Sequence, residues 1–132
     1  MQAPGTIRAR MGTPQETELV DAWRELLERH ARTMSSLERR LQHDHGLGVS
    51  EYEVLERLAS RDESRMQELA DAVHLSQSAL SRVVARLEAD GLVKRGMCAE
   101  DRRGIRACLT ESGRERYEAA RPTHRAVLAE TL

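Results

Sequence analysis

The sequence predicts a mainly α-helical domain with one small β-hairpin. Apolar residues recur at three- and four-residue spacing over most of the 132 residues, which is the pattern of amphipathic helices. Near residues 92–110 the pattern changes to strand-like alternation around a charged turn. The chain contains one Trp, two Tyr and no Phe, so its core must consist mainly of aliphatic side chains. This length allows one domain with a modest core.

The composition limits the classes of protein to which the chain can belong. The net charge is −1, so any basic surface for nucleic acid would have to be local. We see no signal peptide, no apolar run of roughly 18 residues and only two cysteines, and we therefore expect a cytoplasmic protein with reduced thiols. The sequence also lacks a nucleophile elbow and a phosphate-binding glycine loop, so we expect neither an enzyme nor a cofactor.

A long amphipathic helix is predicted after a flexible N-terminal arm, residues 1–15. From about residue 16 to 44 the apolar positions form a heptad seam, and such a helix would be roughly 43 Å long. So small a domain cannot cover it, and a second copy of the chain is the simplest partner. We therefore assign residues 16–48 to a dimerisation helix. The seam consists of Trp23, Leu27, His30, Met34, Leu37 and Leu41.

Three shorter helices are predicted to follow. Ser50 and Glu53 form an S-x-x-E capping box for the first of them. The second helix, at 66–73, is separated from the third, at 77–90, by a three-residue break in which Ser76 is a good N-cap. Gly91 would provide the left-handed residue after the third helix. Two helices joined by so short a turn must cross steeply, which is the helix-turn-helix arrangement.

A β-hairpin and a last helix complete the predicted domain. Strands at 92–97 and 105–110 enclose the polar turn 98–104, and the hairpin is predominantly basic. We therefore assign residues 49–110 to a winged helix-turn-helix, with this hairpin as the wing, and residues 111–132 to a C-terminal dimerisation helix. Pro122 is expected to kink that last helix. The cations of the wing are Lys94, Arg95, Arg102, Arg103 and Arg106.

The helix at 77–90 carries residues suited to reading DNA. Its apolar positions would face the core, so its polar side chains would share the opposite face. A helix fits the major groove of B-DNA, where Gln can pair with adenine and Arg with guanine. In the wing, an arginine can enter the minor groove, and the Asp101 carboxylate can orient Arg103. The predicted DNA-binding residues are Gln77, Ser78, Ser81, Arg82, Arg86, Arg95, Asp101, Arg102 and Arg103.

These segments resemble the MarR family of bacterial winged-helix transcription regulators. The resemblance is carried by LSQSALSRVVARLEADGLVKR (75–95), DRRG (101–104) and LT (109–110), and it extends from about Leu19 to Thr131. It implies a homodimer that binds a pseudo-palindromic operator, with contacts from Ser78, Ser81 and Arg82 and from Asp101 and Arg103 in the wing. Family members usually continue beyond the point where this chain stops. The dimer is therefore expected either to close mainly through residues 16–44 or to have a reduced interface.

The resemblance also implies a signal. Many members of the family release DNA when a small aromatic or phenolic effector enters a cleft between the dimer helices and the DNA-binding lobe, so a repressor is expected. Trp23 and His30 are the candidates for lining that cleft, although both also fit ordinary packing on the seam. The histidines at 30, 43, 45 and 74 lack metal-ligand spacing, so no metal site is expected.

The two cysteines leave redox control open. In a regular hairpin Cys98 would lie opposite Gly104, about 13 Å from Cys108, so an internal bridge is not expected. Two alternatives to an effector-released repressor therefore remain. One is a redox- or metal-responsive regulator of the same fold, and the other is a winged-helix module that binds protein and not DNA.

Overall fold

The computed structural model describes residues 12–61, 63–96 and 105–132, and it confirms the mainly helical fold with a small sheet. Residues 14 and 15 of the predicted arm already belong to the first helix described. The elements in chain order are α1 (Pro14–His45), α2 (Val49–Arg61), β1 (Glu63–Arg65), α3 (Met66–Ala72), α4 (Gln77–Ala89), β2 (Val93–Gly96), β3 (Arg106–Leu109) and α5 (Glu111–Thr131).

Helix α1 is fixed locally at both ends. Thr13 and Glu16 form a capping box, and Pro14 occupies the first turn, where its missing N–H costs nothing. Gly46 ends the helix with φ +65°, a left-handed conformation that glycine adopts without strain. Between these ends the helix has 32 residues, so it extends about 48 Å.

The heptad seam of α1 is covered only in its second half. Leu37 and Leu41 are buried, and α1 packs there against α5. The Thr33 hydroxyl donates to that of Thr131 at 3.0 Å, and Arg40 pairs with Glu130 at 3.2 Å. The end of α5 therefore lies beside the middle of α1, and the apolar residues before Thr33 project beyond the domain.

The start of α2 differs from the prediction. The helix begins at Val49, one residue before Ser50, and the Glu51 carboxylate accepts a hydrogen bond from the Gly48 N–H at 3.1 Å. The predicted capping box of Ser50 and Glu53 is therefore wrong. Glu51 makes the side-chain-to-backbone hydrogen bond that the third residue of a capping box makes, whereas Glu53 faces His124 of α5. The cause is a two-residue shift that places Gly48, and not Ser50, in the capping position.

The predicted helix-turn-helix is confirmed as α3 and α4. The turn between them contains His74 with φ +58°, and the Ser76 hydroxyl accepts from the Ala79 N–H at 3.1 Å to cap α4. Gly91, with φ +74°, follows α4 as predicted. The inward face of α4 is also confirmed, because Leu80, Val84 and Leu87 are buried and Val83 is half-buried.

The sheet contains one strand that the sequence analysis missed. β2 and β3 form the predicted antiparallel hairpin, and β1 pairs with the other edge of β3, so the order is β1-β3-β2. The segment of β1 is polar and lacks the alternation of a half-buried strand. It is a strand because it forms backbone hydrogen bonds with β3, a distant segment. The sequence around residues 63–65 carries no sign of that pairing.

The core lies between α2, α3, α4 and the sheet, and α5 closes it. Its largest fully buried side chains include Tyr52 and Leu55 of α2, Leu80 and Leu87 of α4, and Leu92 before β2. Helix α5 continues through Pro122, which is exposed. Among the described residues, no helix is both long and apolar enough to cross a membrane.

Candidate nucleic-acid interface

The exposed face of α4 collects the predicted groove-facing residues. Gln77, Ser78, Arg82 and Arg86 are exposed, and Ser81 is half-buried. At 3.6 residues per turn, Ser78 lies near the centre of this face, with Gln77 and Ser81 on one flank and Arg82 and Arg86 on the other. Ser76 at the N-cap satisfies one amide of the first turn, and the remaining amides and the helix dipole favour a phosphate there.

Arg95 is held by α4 and does not project freely. Its backbone N–H donates to Glu88 Oε2 at 3.2 Å, its guanidinium lies 3.7 Å from Glu88 Oε1, and Nη1 donates to Ser81 Oγ at 3.5 Å. Because Glu88 and Ser81 belong to α4, Arg95 ties strand β2 to that helix. This contact fixes strand β2 of the wing relative to the exposed face of α4.

The part of the wing nearest the domain carries less net positive charge than the five cations in its sequence indicate. Arg106 is half-buried and pairs with Glu63 of β1 at 3.0 Å. This pair and that of Arg95 with Glu88 neutralise two of the five cations counted in the hairpin, whereas Lys94 is exposed. Asp101, Arg102 and Arg103, which were predicted to contact DNA, lie outside the described residues.

A cavity of about 590 Å³ separates α4 from the sheet and brings in two residues that the sequence analysis missed. Arg65 and Gln67 line it together with Gln77, Ser81 and Arg95. Arg65 is the last residue of β1 and precedes α3, so its position depends on the strand pairing that was not predicted. The polar character of the run 60–65 is visible in the sequence, but nothing in that run indicates a strand.

A second cleft, of about 660 Å³, lies on the other flank of α4. Met34 of α1, Val49 of α2 and Val83 of α4 supply its apolar lining, and Arg82 and Arg86 reach it from the recognition helix. The buried Glu51 carboxylate, also in the lining, lies 3.8 Å from the Arg86 guanidinium. The cleft therefore joins the long helix to the recognition helix.

The two effector candidates from the sequence lie away from this cleft. Trp23 is 57% exposed, and His30 is exposed one turn before Met34 on the same seam. Neither lines the cleft, which the seam reaches at Met34. A role for Trp23 or His30 in effector binding stays a prediction.

Cys108 of β3 is disulfide-bonded, so the expectation of no internal bridge is wrong. That expectation assumed that β2 and β3 pair regularly as far as position 98. The described pairing ends where Gly96 faces Arg106, and Gly96 has φ +149°, so the regular spacing of a ladder stops there. Cys98, the other cysteine of the sequence, lies outside the described residues.

Comparison with known proteins places this geometry in one family. Residues 45–104 match the MarR family. AbsC of Streptomyces coelicolor, a MarR family transcriptional regulator, is 37% identical, with a TM-score of 0.78 over 92% of this chain and 80% of AbsC. Sco3205 of the same organism, solved in complex with DNA, is 36% identical, with a TM-score of 0.79 over 92% of this chain and 76% of Sco3205. CouR of Rhodococcus jostii RHA1, solved with p-coumaroyl-CoA, is 29% identical, with a TM-score of 0.71 over 77% of this chain and 72% of CouR.

Curated relatives give the same assignment over a shorter length. HTH-type transcriptional regulators of Bacillus subtilis are 30% and 32% identical to this chain, which spans between 53% and 62% of their lengths. The matched region contains the helix-turn-helix, and the match to AbsC extends it to most of the chain. The chain belongs to the MarR family of transcriptional regulators.

Proposed function

We propose that this protein is a sequence-specific DNA-binding transcription regulator. The observation that carries the proposal is α4, whose Ser76-capped start and exposed face of Gln77, Ser78 and Arg82 stand beside the wing. A helix presented in this way fits the major groove. Sco3205, which shares the fold and 36% of the sequence, has been solved with DNA, and this supports the proposal.

The test compares two arginine variants on DNA. Arg82→Ala should weaken binding to the regulated site more than binding to random DNA, by about 1–3 kcal/mol, because it removes a base contact. Arg103→Ala should weaken both and lower the slope of log K against log salt by about one. Fluorescence anisotropy with DNA from upstream of the protein's own gene gives both values.

Arg121→Ala is the matched control, since Arg121 is exposed on α5, outside the proposed interface. Equal losses on specific and random DNA for Arg82→Ala would make Arg82 a backbone contact. A wild-type protein that binds neither DNA at low salt would refute the proposal and favour a protein-interaction module.

We further propose that the regulator is a homodimer whose partner copy covers the first half of α1. Large apolar side chains there are between 44% and 70% exposed on one face, and Leu132 at the end of the chain is 67% exposed. Monomers seldom leave so continuous an apolar face in water. A two-fold dimer would present two α4 helices to successive major grooves, about 34–36 Å apart, and so match a pseudo-palindromic operator. The exposed residues are Leu19, Val20, Trp23, Leu26 and Leu27.

The cleft beside Arg82 is the proposed effector site of a repressor. It has room for a small aromatic or phenolic molecule, and Met34, Val49 and Val83 offer it an apolar surface. Arg82 belongs both to this cleft and to the proposed groove-facing set, so a ligand that engages Arg82 competes with DNA for the same side chain. The phenolic acyl ligand of CouR supports this class of effector.

A variant that fills the cleft tests the site. With p-coumarate and 4-hydroxybenzoate as probes, we expect release of the operator from the wild type. Met34→Trp should abolish that release and leave operator affinity within about twofold, because an indole occupies the apolar part of the cleft. His30→Gln is the comparison variant. If His30→Gln abolishes release and Met34→Trp does not, the effector site lies on the seam and not in this cleft.

A further inference from the structure

A cluster of ionisable side chains joins α2 to α5. Glu53 and Glu56 lie one turn apart on α2, and His124 of α5 approaches them. One ligand atom from each of the three lies within 4.8 Å of the other two. His124 was not among the histidines considered for metal binding from the sequence.

The His124 ring is held in one orientation. It is 5% exposed and stacks on Tyr52, with ring centroids 4.4 Å apart and an angle of 19° between the planes. Its Nε2 faces Glu53 Oε1 at 3.5 Å. The ring therefore cannot turn away from the carboxylates without breaking a buried stack.

The separation between His124 Nε2 and Glu53 Oε1, 3.5 Å, lies within ion-pair distance, and it is also compatible with a shared metal ion. An N–H···O bond is normally no longer than about 3.2 Å. Two ligand atoms about 2.0–2.1 Å from a tetrahedral Zn²⁺ lie roughly 3.4 Å apart, close to the 3.5 Å observed. Glu56, whose ligand atom lies within 4.8 Å of the other two, would complete a set of one imidazole and two carboxylates.

Glu56 is already an acceptor from three side chains. Its Oε1 accepts from the Tyr52 hydroxyl at 3.3 Å, from the Tyr117 hydroxyl at 3.4 Å and from Arg125 Nη2 at 2.5 Å. These bonds position the carboxylate at the cluster.

Arg125 competes with a cation for this cluster. Besides its bond to Glu56, its Nη1 lies 2.6 Å from His124 Nδ1. A guanidinium can only donate, so Nδ1 is the acceptor and the imidazole proton is on Nε2. A metal ion bound to Nε2 would take the place of the proton there, so the ring would carry its proton on Nδ1 instead. Arg125 Nη1 would then have to move away from Nδ1. The Arg125 side chain is 45% exposed, so it can swing into solvent.

We propose that Glu53, Glu56 and His124 form a binding site for a divalent transition-metal ion of the Zn²⁺ class, with Arg125 as a displaceable gate. A cavity of about 420 Å³, lined by Glu53, Glu56 and Arg125, gives solvent access to the two carboxylates of the cluster. Arg57 and Arg114 also line this cavity, so coordination and not a general negative field would hold the ion. The ligand set is of the kind that Zn²⁺ accepts, with water in the fourth position.

Such an ion would tie the DNA-binding lobe to the dimerisation helix. α2 packs against α4, and α5 packs against α1, so a bond between α2 and α5 restricts the rotation of one pair against the other. This regulatory consequence rests on the proposed DNA-binding function, whereas the metal site does not.

Co²⁺ titration measures the site directly. The wild type should give visible d–d absorption that Zn²⁺ displaces, and Glu53→Gln should weaken Co²⁺ binding by at least about tenfold, because it removes a charged ligand. Glu53 is chosen because its side chain is 42% exposed, so the fold should tolerate the change, which circular dichroism checks. No Co²⁺ spectrum with the wild type, or full binding by Glu53→Gln, would overturn the proposal.

His43→Gln is the matched control. His43 is an exposed histidine whose Nδ1 contacts Asp44 at 2.7 Å, so it is a surface histidine–carboxylate pair on another element. This variant should bind Co²⁺ as the wild type does. If His43→Gln loses the spectrum and Glu53→Gln keeps it, the bound metal is at the end of α1 and the proposal is wrong.

Arg125→Gln tests the gate. Removing the competing cation should tighten Co²⁺ binding several-fold, since the metal no longer displaces a guanidinium from Glu56 and His124. An unchanged or weaker affinity would refute the gate. Operator affinity is then measured with and without Zn²⁺, and we expect a Zn²⁺-dependent change that Glu53→Gln abolishes. If Co²⁺ binds but the protein binds no DNA, the proposed function fails and the metal site stands.

Discussion

Gly113 in the first turn of α5 occupies a position where any side chain would collide with backbone. A Cβ atom there would overlap the carbonyl oxygen of Leu92, and it would also lie 2.9 Å from Leu109 Cδ1. In an exposed helix, Ala would be preferred over Gly by up to about 1 kcal/mol. Here the clash makes Ala destabilising relative to Gly, because neither α5 nor the segment before β2 can shift without disturbing the core.

Gly113→Ala should therefore lower the free energy of unfolding by at least about 2 kcal/mol, which chemical denaturation measures. Ser112→Ala is the control, since Ser112 is exposed in the same turn and its change should be within about 0.5 kcal/mol. A stability gain for Gly113→Ala would show that α5 does not approach Leu92 this closely.

At the scale of elements, the prediction succeeded where the signal is local. The Ser76 cap, the inward face of α4 and Gly91 were all read from residues within a few positions of one another, and all three are confirmed. It failed at β1 and at the start of α2. β1 exists because β3 pairs with it, and the capping residue of α2 was displaced by two positions, within the usual uncertainty of helix boundaries.

At the scale of the whole molecule, the uncovered half of α1 predicts self-association. Leu26 is 60% exposed on that face. Leu26→Glu should raise the dimer dissociation constant at least about tenfold, because the partner would have to bury an unpaired carboxylate. Sedimentation velocity over a range of concentrations gives this constant.

Arg32→Gln is the control for charge, since it changes the net charge by the same amount on the opposite, exposed face of α1. It should dimerise as the wild type does. A dimer that is unaffected by Leu26→Glu would place the interface elsewhere, and a monomeric wild type would refute the homodimer.

By itself, the sequence determined the helix-turn-helix, the strands of the hairpin and the inward face of α4, because periodicity, caps and turns depend on neighbours along the chain. The resemblance of its motifs indicated the family. The tertiary structure decided which charged side chains are held in ion pairs with other elements. It paired Arg95 with Glu88 and Arg106 with Glu63, and it brought His124 to Glu53. These contacts join residues on different elements, and their distances depend on how the helices and strands pack. No pattern within a single segment encodes that packing.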